Sequence, residues 1–498
     1  MLEQVLEIVR WLKTHSQAST HLQVDSRCVQ AGDIFVALPG RRSHGRDFMH
    51  VAVAQGAAAV LLHSDGQTCT REVIDGVAVL AVSGLTTMMA RVAAQYYGEP
   101  ARQMTGIAVT GTNGKTTSSQ WCAQLLDALG KRCAVLGTIG TFFRQKKFPA
   151  PSLTTPDVVS LQGLYADLVH AGARYYAIEA SSAGLRQGRL AQSAFDVAIY
   201  TNLTRDHLDY HGTMRAYAKA KAILMQWPGL KHAVINNDDA YADFMKEHAR
   251  VHGVKIWGYS ANGLQDRSDD RHIWATDLKP TAEGQSFLLH WNENSYPVHV
   301  PIVGHYNVEN LLGVIAGLLA LGFSVEAIIR KVQFLKAPAG RLEVVAGGMY
   351  PMALVDYAHT PDAMRKLLRA LRPLTQVRGG KLWIIFGCGG DRDRGKRPIM
   401  VQVAQKYADC VVITSDNPRT EDPQQILEDM KQGLTKPATL IEMDRAKAIE
   451  KAIAMAAPRD VLVITGKGHE TYQEIQGVRY HFSDQEEVQR ARQVKEQA

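Results

Sequence analysis

The chain has 498 residues, of which 46% are hydrophobic and 21% are charged, and its formal net charge is +7. This composition excludes wholesale disorder, and at roughly 100–200 residues per domain the length favours about three domains. The sequence has no apolar run near the roughly 20 residues that span a bilayer and no basic block with interleaved aromatic residues, so we expect neither membrane insertion nor nucleic-acid binding.

Residues 1–100 are predicted to form a small α/β domain. Apolar runs at 34–38, 57–62 and 77–82 alternate with polar turns and one Ala-rich helix, which is typical of short strands joined by turns and helices. The segment 98–100, Gly-Glu-Pro, ends this pattern.

Residues 101–336 are predicted to form a mononucleotide-binding domain. Strands and helices alternate here, which implies a mainly parallel sheet with helices on both faces. The predicted strands are 106–109, 132–137, 174–180, 196–201 and 232–236, and the predicted helices are 115–129, 157–171 and 213–226.

Residues 337–498 are predicted to form a second doubly wound, Rossmann-like α/β domain after a Pro/Gly-containing link. Its predicted strands are 353–356, 381–386, 410–414 and 461–465. The charged segment 486–498 is expected to be a surface helix or a frayed tail.

The segment 109–117, Val-Thr-Gly-Thr-Asn-Gly-Lys-Thr-Thr, reads as a strand that ends in a phosphate-binding loop. Backbone N–H groups and the positive end of the following helix can bind phosphate oxygens, and the Lys adds a point charge. Val109 stands where the usual pattern has Gly, so the loop is a variant. The residues expected to hold a nucleoside triphosphate are Gly111, Thr112, Asn113, Gly114, Lys115, Thr116 and Thr117, with Thr116 placed to bind Mg²⁺.

Polar residues at the ends of other predicted strands are further site candidates, because ligands of open α/β sheets lie beyond the carboxyl ends of strands. Glu179 ends one strand, and His207 lies in the Asp- and His-rich segment 201–212. Both could bind Mg²⁺ near phosphates. Alternatively, Glu179 caps a helix and His207 is solvated or satisfied in the core.

Two other pairs of residues leave alternatives open. Lys219 and Lys221 lie two positions apart on a predicted helix, so only one can face a site, and the spacing does not say which. Asn307 and Asn310 share one side of a later helix, where they bind a ligand or cap the helix start.

Five motifs in this order resemble the signature of the Mur ligase family, the ATP-dependent amide-bond ligases that build the peptidoglycan stem peptide. The motifs occupy 110–117, 201–212, 305–310, 340–343 and 356–361. Three further motifs, at 386–393, 415–419 and 465–470, resemble the family member that adds the third residue of the peptide. The resemblance covers essentially the whole chain and implies a three-domain α/β fold.

The resemblance implies that the γ-phosphoryl group of ATP activates the D-Glu side-chain carboxylate of UDP-N-acetylmuramoyl-L-alanyl-D-glutamate, and that meso-diaminopimelate then attacks the acyl phosphate. Lys115 and Mg²⁺ bound by Thr116, Glu179 and His207 would neutralise the charge. The family's carbamoylated lysine aligns with Lys221 and would bind a second Mg²⁺. Further nucleotide contacts would come from Asn307, Arg341 and Asp356 at a domain junction, and domain closure would exclude water.

The resemblance also implies that the N-terminal domain takes part in binding the UDP substrate. The implied contacts are Val24, Ser26, Arg41, Arg42, Ser43, Thr154, Thr155, Ser181, Gln187 and Arg189. The chain departs from many relatives at Leu153, where they have Asn, and at Ala183, where they have His.

The amine pocket is implied to lie in the C-terminal domain. Its implied residues are Arg392, Asp416, Asn417, Pro418, Arg419, Gly466 and Glu470. The Arg419 guanidinium suits the distal carboxylate that distinguishes meso-diaminopimelate from lysine. If this motif is considered alone, the alternative interpretation is that Arg419 merely follows an Asn-Pro turn and binds no ligand.

Three rival functions are less well supported. Arg419 disfavours a lysine-adding ligase. Folate-polyglutamating enzymes share the phosphate loop, but the N-terminal domain with Asp25-Ser26-Arg27 does not belong to them. A nucleotide switch needs no second charged pocket in a third domain. Six dispersed cysteines form no CxxC pair, which favours a reducing compartment over disulfides or structural zinc. The N-terminus lacks the order of a signal peptide. We therefore expect a cytoplasmic enzyme, and a monomer.

Overall fold

The computed structural model describes residues 2–17, 19–40, 43–66, 69–149, 153–263 and 269–497. The chain divides into two compact units. The first comprises Met1–Tyr259, Asp266–His272 and Gly313–Ser324. The second comprises Ser260–Gln265, Ile273–Leu312 and Val325–Ala498. The two boundaries between the three domains expected from the sequence, at 100/101 and 336/337, stay a prediction.

The first unit begins with a small five-stranded sheet. Its elements are α1 (Leu2–Thr14), β1 (Leu22–Gln23), β2 (Ile34–Ala37), α2 (Met49–Ala54), β3 (Ala59–Ser64), β4 (Thr70–Ile74), β5 (Val77–Ser83) and α3 (Leu85–Tyr96). The strand order is β1-β2-β3-β5-β4, and only the edge strand β4 runs antiparallel to its neighbour. Val5, Ile8 and Leu12 share one face of α1 and are buried in the core above this sheet, as their helical spacing requires.

The same unit continues with a larger sheet. Its elements are β6 (Thr105–Thr110), α4 (Lys115–Ala128), β7 (Cys133–Gly137), β8 (Gly140–Phe143), β9 (Lys146–Phe148), α5 (Val158–His170), β10 (Tyr175–Glu179), α6 (Ser182–Arg186), β11 (Val197–Tyr200), α7 (Leu208–His211), α8 (Met214–Met225), β12 (His232–Asn236), α9 (Ala242–Val251) and β13 (Lys255–Ser260). Strands β13-β12-β11-β6-β10-β7 are parallel, and β8 and β9 extend the sheet in antiparallel fashion. The predicted alternation and mainly parallel sheet are confirmed.

The register of this sheet brings three strand ends together. Strand β6 lies between β10 and β11, with Glu179 paired to Val109 and Tyr200 paired to Thr110. Because all three strands are parallel, the loops that follow them meet at one edge.

The second unit contains an antiparallel ribbon that the sequence analysis did not predict. Its strands are β14 (Arg271–Pro280), β15 (Gln285–Trp291) and β16 (Asn294–Val300). Along β15, Gln285, Phe287 and Leu289 are buried while the residues between them are partly exposed. This period of two in burial is the strand period, but the sequence does not show it, because Phe287, Leu288 and Leu289 are consecutive apolar residues.

From residue 305 onwards the chain forms helices, a six-stranded sheet and a separate two-stranded sheet. The elements are α10 (His305–Ala320), α11 (Val325–Val332), β17 (Glu343–Ala346), β18 (Met352–Asp356), α12 (Pro361–Arg378), β19 (Leu382–Phe386), α13 (Lys396–Tyr407), β20 (Cys410–Ile413), α14 (Pro423–Lys431), β21 (Leu440–Ile441), α15 (Arg445–Met455), β22 (Val461–Thr465), β23 (Tyr472–Ile475), β24 (Val478–His481) and α16 (Asp484–Gln497). The sheet order is β17-β18-β22-β19-β20-β21, parallel except for β17. The predicted Rossmann-like alternation is confirmed, and α16 is a helix that buries Val488 and Ala491.

In this sheet, Asp356 and Phe386 both pair with Thr465, and Phe386 also pairs with Ile413. The loops after β18, β19, β20 and β22 therefore meet at one edge. Within the described ranges, no helix is both long and apolar enough to cross a bilayer.

Candidate active site

The loop between β6 and α4 is held by residues that follow β11. Gly111 and Gly114 have φ values of +156° and +85°, and a side chain on Gly111 would collide with Thr201 Oγ1. Thr201 Oγ1 donates to the Asn113 carbonyl over 2.6 Å, and the Asn113 N–H donates to Asn202 Oδ1 over 2.9 Å. These bonds fix the loop at the start of α4, where helix N–H groups are available to an anion.

Lys115 lies across the same loop. Its Nζ donates to the carbonyl oxygens of Gly111 and Thr112, each over 2.9 Å. The predicted phosphate-binding lysine thus places its charge against the loop backbone, next to the first turn of α4.

Glu179 is buried at the end of β10 and faces α4 and the loop after β7. Its Oε2 accepts bonds from the hydroxyls of Thr116 over 3.0 Å and Thr138 over 3.1 Å, and its Oε1 accepts the Thr138 N–H over 2.7 Å. A side chain on Gly137 would fill the space of this carboxylate. Glu179 therefore caps neither α6 nor any other described helix. Thr138 was not among the predicted site residues. It nevertheless directly follows an apolar strand, and ligands of parallel sheets bind beyond the carboxyl ends of strands.

The Thr116 and Glu179 oxygens fit Mg²⁺ by the chemistry of the donor set, because the cation prefers a carboxylate and few protein ligands beside phosphate and water. The described residues contain no group of three or more His, Cys, Asp and Glu side chains that could hold a metal alone.

Lys221 and His207 meet at the ring of Tyr217. The Lys221 side chain is 1% exposed, and its Nζ lies 4.6 Å from the Tyr217 ring centroid. The His207 ring lies edge-on to the same ring, with centroids 6.0 Å apart, on an exposed turn where its φ is +52°. Tyr217 itself lies 3.2 Å, oxygen to oxygen, from the Thr112 hydroxyl in the phosphate loop. This arrangement distinguishes buried Lys221 from Lys219, which is exposed.

The electrostatics of Lys221 are unusual for a lysine. Burial, together with repulsion from Lys115, holds the pKa of Lys221 well below its usual value. Removal from water disfavours the charged ammonium, so burial favours the neutral, nucleophilic form of this amine relative to an exposed lysine.

Four of the residues expected to bind the UDP substrate form one network beside Glu179. The Thr155 hydroxyl donates to the Glu179 carbonyl over 2.8 Å and lies 2.9 Å from Ser181 Oγ, which caps α6. Arg189 donates to the Thr155 carbonyl over 3.0 Å and to Gln187 Oε1 over 2.9 Å. These polar groups are therefore linked through Thr155 to Glu179, whose carboxylate bonds Thr116 in the first turn of α4.

The other expected UDP contacts are more dispersed. Thr154 Oγ1 lies 3.2 Å from the Thr138 hydroxyl oxygen. Val24 packs against the core of the small sheet, Ser26 lies in the short helical turn that follows Asp25, and Ser43 closes a turn with Gly40. Arg41 and Arg42 lie outside the described residues. Of the two departures, Leu153 is exposed and Ala183 lies in α6.

The expected nucleotide contacts of the second unit have defined partners. Asn307 Nδ2 donates to the Val303 carbonyl over 2.8 Å, and Asn310 Nδ2 donates to Asn307 Oδ1 over 3.2 Å. Asp356 accepts the N–H groups of Leu342 and Ala358, each over 2.9 Å, and burial raises its pKa against the opposing effect of Arg341.

Arg341, next to Tyr357, has one N–H group that is available as a hydrogen-bond donor. Its guanidinium lies 5.0 Å from the ring centroid of Tyr357, and its buried Nε has no hydrogen-bond partner among the described residues. An unsatisfied buried N–H group favours an acceptor supplied by a ligand.

The expected amine pocket is assembled from the loops after β19, β20 and β22. Asn417 Nδ2 donates to Glu470 Oε2 over 2.9 Å, and a side chain on Gly466 would collide with Asp416 Oδ2. Arg392 is exposed on the first of these loops and donates to the Asp391 carbonyl.

Arg419 follows Pro418 with a left-handed backbone, φ +52°. This conformation points its guanidinium at the glycine loop after β19, where NH1 donates to the Gly390 carbonyl over 2.6 Å. A side chain on Gly389 would crowd this guanidinium. Gly389 and Gly390 thus leave room for the Arg419 guanidinium beside this loop, where it can reach a ligand bound there.

Three buried cations of this unit were not predicted. Arg397 pairs with Glu421 and Asp429, Arg445 pairs through two bonds with Asp484, and Lys467 bonds Asn417. Lys467 lies inside a motif that the sequence analysis noted, but nothing in a single sequence shows that its side chain turns inward.

Family models match three segments of the chain. They are described as the Mur ligase family catalytic domain over residues 19–97, the Mur ligase middle domain over 109–318, and the Mur ligase glutamate ligase domain over 340–468.

Individual relatives agree with this result. The chain is 45% identical over 471 residues to a UDP-N-acetylmuramoyl-L-alanyl-D-glutamate–2,6-diaminopimelate ligase of Ectopseudomonas mendocina, covering 93% of each chain. A protein of the same name from Pseudomonas aeruginosa is 44% identical, covering 94% of each chain. A solved structure of a protein with this name matches with a TM-score of 0.69 and 40% identity, covering 96% of this chain and 95% of that one.

Proposed function

The chain belongs to the Mur ligase family, and we propose that it joins meso-diaminopimelate to the D-Glu side-chain carboxylate of UDP-N-acetylmuramoyl-L-alanyl-D-glutamate at the expense of ATP. The observation that carries this proposal is the convergence of a phosphate loop, buried Glu179 and buried Lys221 in one unit of the chain. The similarity to diaminopimelate ligases of 44–45% identity supports the substrates.

The first chemical problem is that a carboxylate is a poor electrophile. Transfer of the γ-phosphoryl group from ATP to the D-Glu carboxylate oxygen forms an acyl phosphate and releases ADP. The diaminopimelate amine then attacks the acyl carbon, the C–N bond forms, and phosphate leaves with the loss of one proton from the amine. Two anions must approach each other during this transfer, so the site needs concentrated positive charge. Lys115 and the amino end of α4 supply part of it.

Mg²⁺ is the second source of positive charge in this proposal. Thr116 and Glu179 would hold it, and when bound it neutralises phosphate oxygens. The hydrogen bonds from Thr138 fix the Glu179 carboxylate in the orientation that this role requires.

Lys221 supports the proposed carbamate. A neutral amine can attack CO₂, forming an N–C bond and releasing one proton, so the product carries a negative charge in place of a positive one. Burial lowers the pKa of Lys221 and so makes the neutral amine available. Exposed Lys219 lacks this environment and offers a matched comparison.

The remaining substrate contacts follow from the polar networks. Thr155, Ser181 and Arg189 would orient the UDP substrate next to Glu179. Asn307, Arg341 and Asp356 are proposed as nucleotide contacts, and the available Nε of Arg341 supports this assignment. Because ATP and nucleotide-linked sugars are cytoplasmic metabolites, we place the reaction in the cytoplasm.

Arg419 is the proposed selector of the amine. The distal carboxylate of meso-diaminopimelate can accept two hydrogen bonds from the guanidinium, whereas lysine has no such group. Glu470 and Asp416 would receive the ammonium groups of the diamino acid.

Phosphate release tests the proposal directly. We expect release to require ATP, the UDP-muramyl dipeptide and meso-diaminopimelate together, with a product that contains one additional diaminopimelate by mass spectrometry. Equal phosphate release without the amine would indicate a switch or a hydrolase, and a preference for L-lysine would contradict the assignment of Arg419.

A further inference from the structure

A buried lysine lies beneath the proposed amine pocket. The Lys467 side chain is 0% exposed, and its Nζ donates to Asn417 Oδ1 over 2.9 Å and lies 3.5 Å from Glu470 Oε2. The ring centroids of Tyr472 and Phe482 lie 5.5 and 6.0 Å from this Nζ. A buried ammonium is costly, and an apolar side chain would serve packing at least as well. This environment points to a role for the charge itself.

The contacts of Asn417 show what the ammonium does. Asn417 Oδ1 accepts both the Lys467 Nζ–H and the Glu474 N–H, the latter over 3.0 Å. With its oxygen committed to these two donors, the amide must turn Nδ2 to Glu470 Oε2, 2.9 Å away. Lys467 thus sets the orientation of Asn417, and both residues hold one oxygen of Glu470.

Lys467 is the cation that forms an ion pair with this carboxylate, at 3.5 Å. Buried Arg445 is matched by two bonds to Asp484. Asp416 and Glu470 act on Lys467 as attractive charges, although burial is the larger effect and lowers its pKa. The Glu470 side chain is 20% exposed whereas Lys467 is fully buried, so an incoming ligand can reach Glu470 but not Lys467.

We propose that Lys467 is a positioning residue for the amine substrate, whose ammonium orients Asn417 and Glu470 so that Glu470 receives an ammonium group of the diamino acid. This inference rests on the proposed function, since it takes Asn417 and Glu470 as parts of the amine pocket. Loss of Lys467 weakens capture of the amine and leaves nucleotide binding, which uses other residues, unchanged.

Steady-state kinetics of Lys467→Met test the inference. We expect the KM for meso-diaminopimelate to rise about 10- to 100-fold, the range for losing a charged hydrogen bond, with the KM values for ATP and the UDP substrate unchanged. Lys495→Met is the matched control, because Lys495 Nζ bonds carbonyl oxygens of Ile453 and Ala456 at the end of α15. An unchanged KM for the amine, or an equal loss for all three substrates, would overturn the inference.

A double-mutant comparison separates positioning from a structural role. If Lys467 acts through Glu470, the variant with both Lys467→Met and Glu470→Gln binds the amine no worse than Glu470→Gln alone. Full additivity would contradict the inference. Should Lys467→Met fail to fold, Lys467→Gln keeps an N–H donor without the charge, and the same selective rise in KM is expected.

The wild-type control distinguishes the two possible failures. If wild type forms no product with meso-diaminopimelate, the proposed function itself fails. If wild type forms product and the folded Lys467 variants keep the wild-type KM for the amine, only the role of Lys467 is wrong.

Discussion

The hydroxyl of Thr116 donates a hydrogen bond to Glu179 Oε2 over 3.0 Å and so joins the first turn of α4 to the end of β10. The contact depends on the register of the sheet, because β6 and β10 are adjacent and parallel, with Val109 opposite Glu179. A carboxylate is thereby fixed next to the phosphate loop before any ligand binds. Such preorganisation makes the geometry of this pair testable.

Replacing Glu179 with Gln should abolish most of the activity. The change keeps the shape of the side chain but removes its charge, and we expect kcat to fall about 10²- to 10³-fold, as for other preorganised electrostatic groups. Initial rates of ADP formation measure this. Asp127→Asn, which removes a carboxylate at the other end of α4, is the control and should keep near wild-type activity. A Glu179→Gln enzyme with normal kcat would rule out a metal-binding role.

Lys221 should be required for activity in a way that depends on CO₂. We expect wild type to lose activity after dialysis into CO₂-free buffer and to regain it with bicarbonate, because a carbamate forms and dissociates reversibly. Lys221→Met should be inactive in both buffers, whereas Lys219→Met should behave like wild type, since Lys219 is exposed. If bicarbonate has no effect on wild type, unmodified Lys221 is the active form.

The placement of Glu179 was predictable because it ends an apolar strand, and the carboxyl edge of a parallel sheet is where ligands bind. The choice between Lys219 and Lys221 was not predictable from their spacing, because burial decides it and burial depends on what packs against α8. The family resemblance selected Lys221 before the structure showed its burial.

The contact between Lys467 and Asn417 could not be predicted from the sequence alone. Asn417 lies 50 residues earlier and follows β20, which is separated from β22 by β19 in the sheet. Nothing local in the sequence encodes that approach. The strand β15 is a similar case: its burial alternates, but Phe287, Leu288 and Leu289 are all apolar, so its sequence shows no period of two.

Arg419 should control the choice of amine. We expect Arg419→Ala to lower the preference for meso-diaminopimelate over L-lysine about 10- to 100-fold, because lysine no longer leaves a guanidinium unpaired. Competition between the two amines, read by product mass, measures this ratio. Arg365→Ala on α12, which removes an exposed arginine paired with Asp362, should keep the wild-type ratio. An unchanged ratio in Arg419→Ala would place selectivity elsewhere.

Arg397 should matter for stability far more than its neighbour Arg394, although both pair with Glu421. The Arg397 side chain is 0% exposed and also pairs with Asp429, whereas that of Arg394 is 65% exposed. Removing a buried partner leaves uncompensated charge, so Arg397→Met should lower the free energy of unfolding of this region by about 3–5 kcal/mol. Arg394→Met should cost about 0–1 kcal/mol. Hydrogen exchange in α13 measures both, and equal effects would contradict the prediction.

The pair His21 and Asp167 should make stability depend on pH. His21 precedes β1, and its Nε2 lies 3.1 Å from Asp167 Oδ1 on α5, a hydrogen bond that raises the pKa of His21 above 6.5. A raised folded-state pKa means that the protonated histidine stabilises the fold. The contribution is fully present below the unfolded pKa and is lost as pH rises through the folded pKa.

The variant His21→Gln should therefore lose more stability in acid than in base. Urea unfolding at about pH 5.5 and about pH 8.5, on either side of the histidine range, should show the larger shift of the midpoint at the lower pH. In an Asp167→Asn background the extra loss at low pH should shrink, because the carboxylate that contributes most to the raised pKa of His21 is gone and the weaker attraction of Asp33 remains. Equal losses at both pH values would mean that the pair contributes no pH-dependent stability.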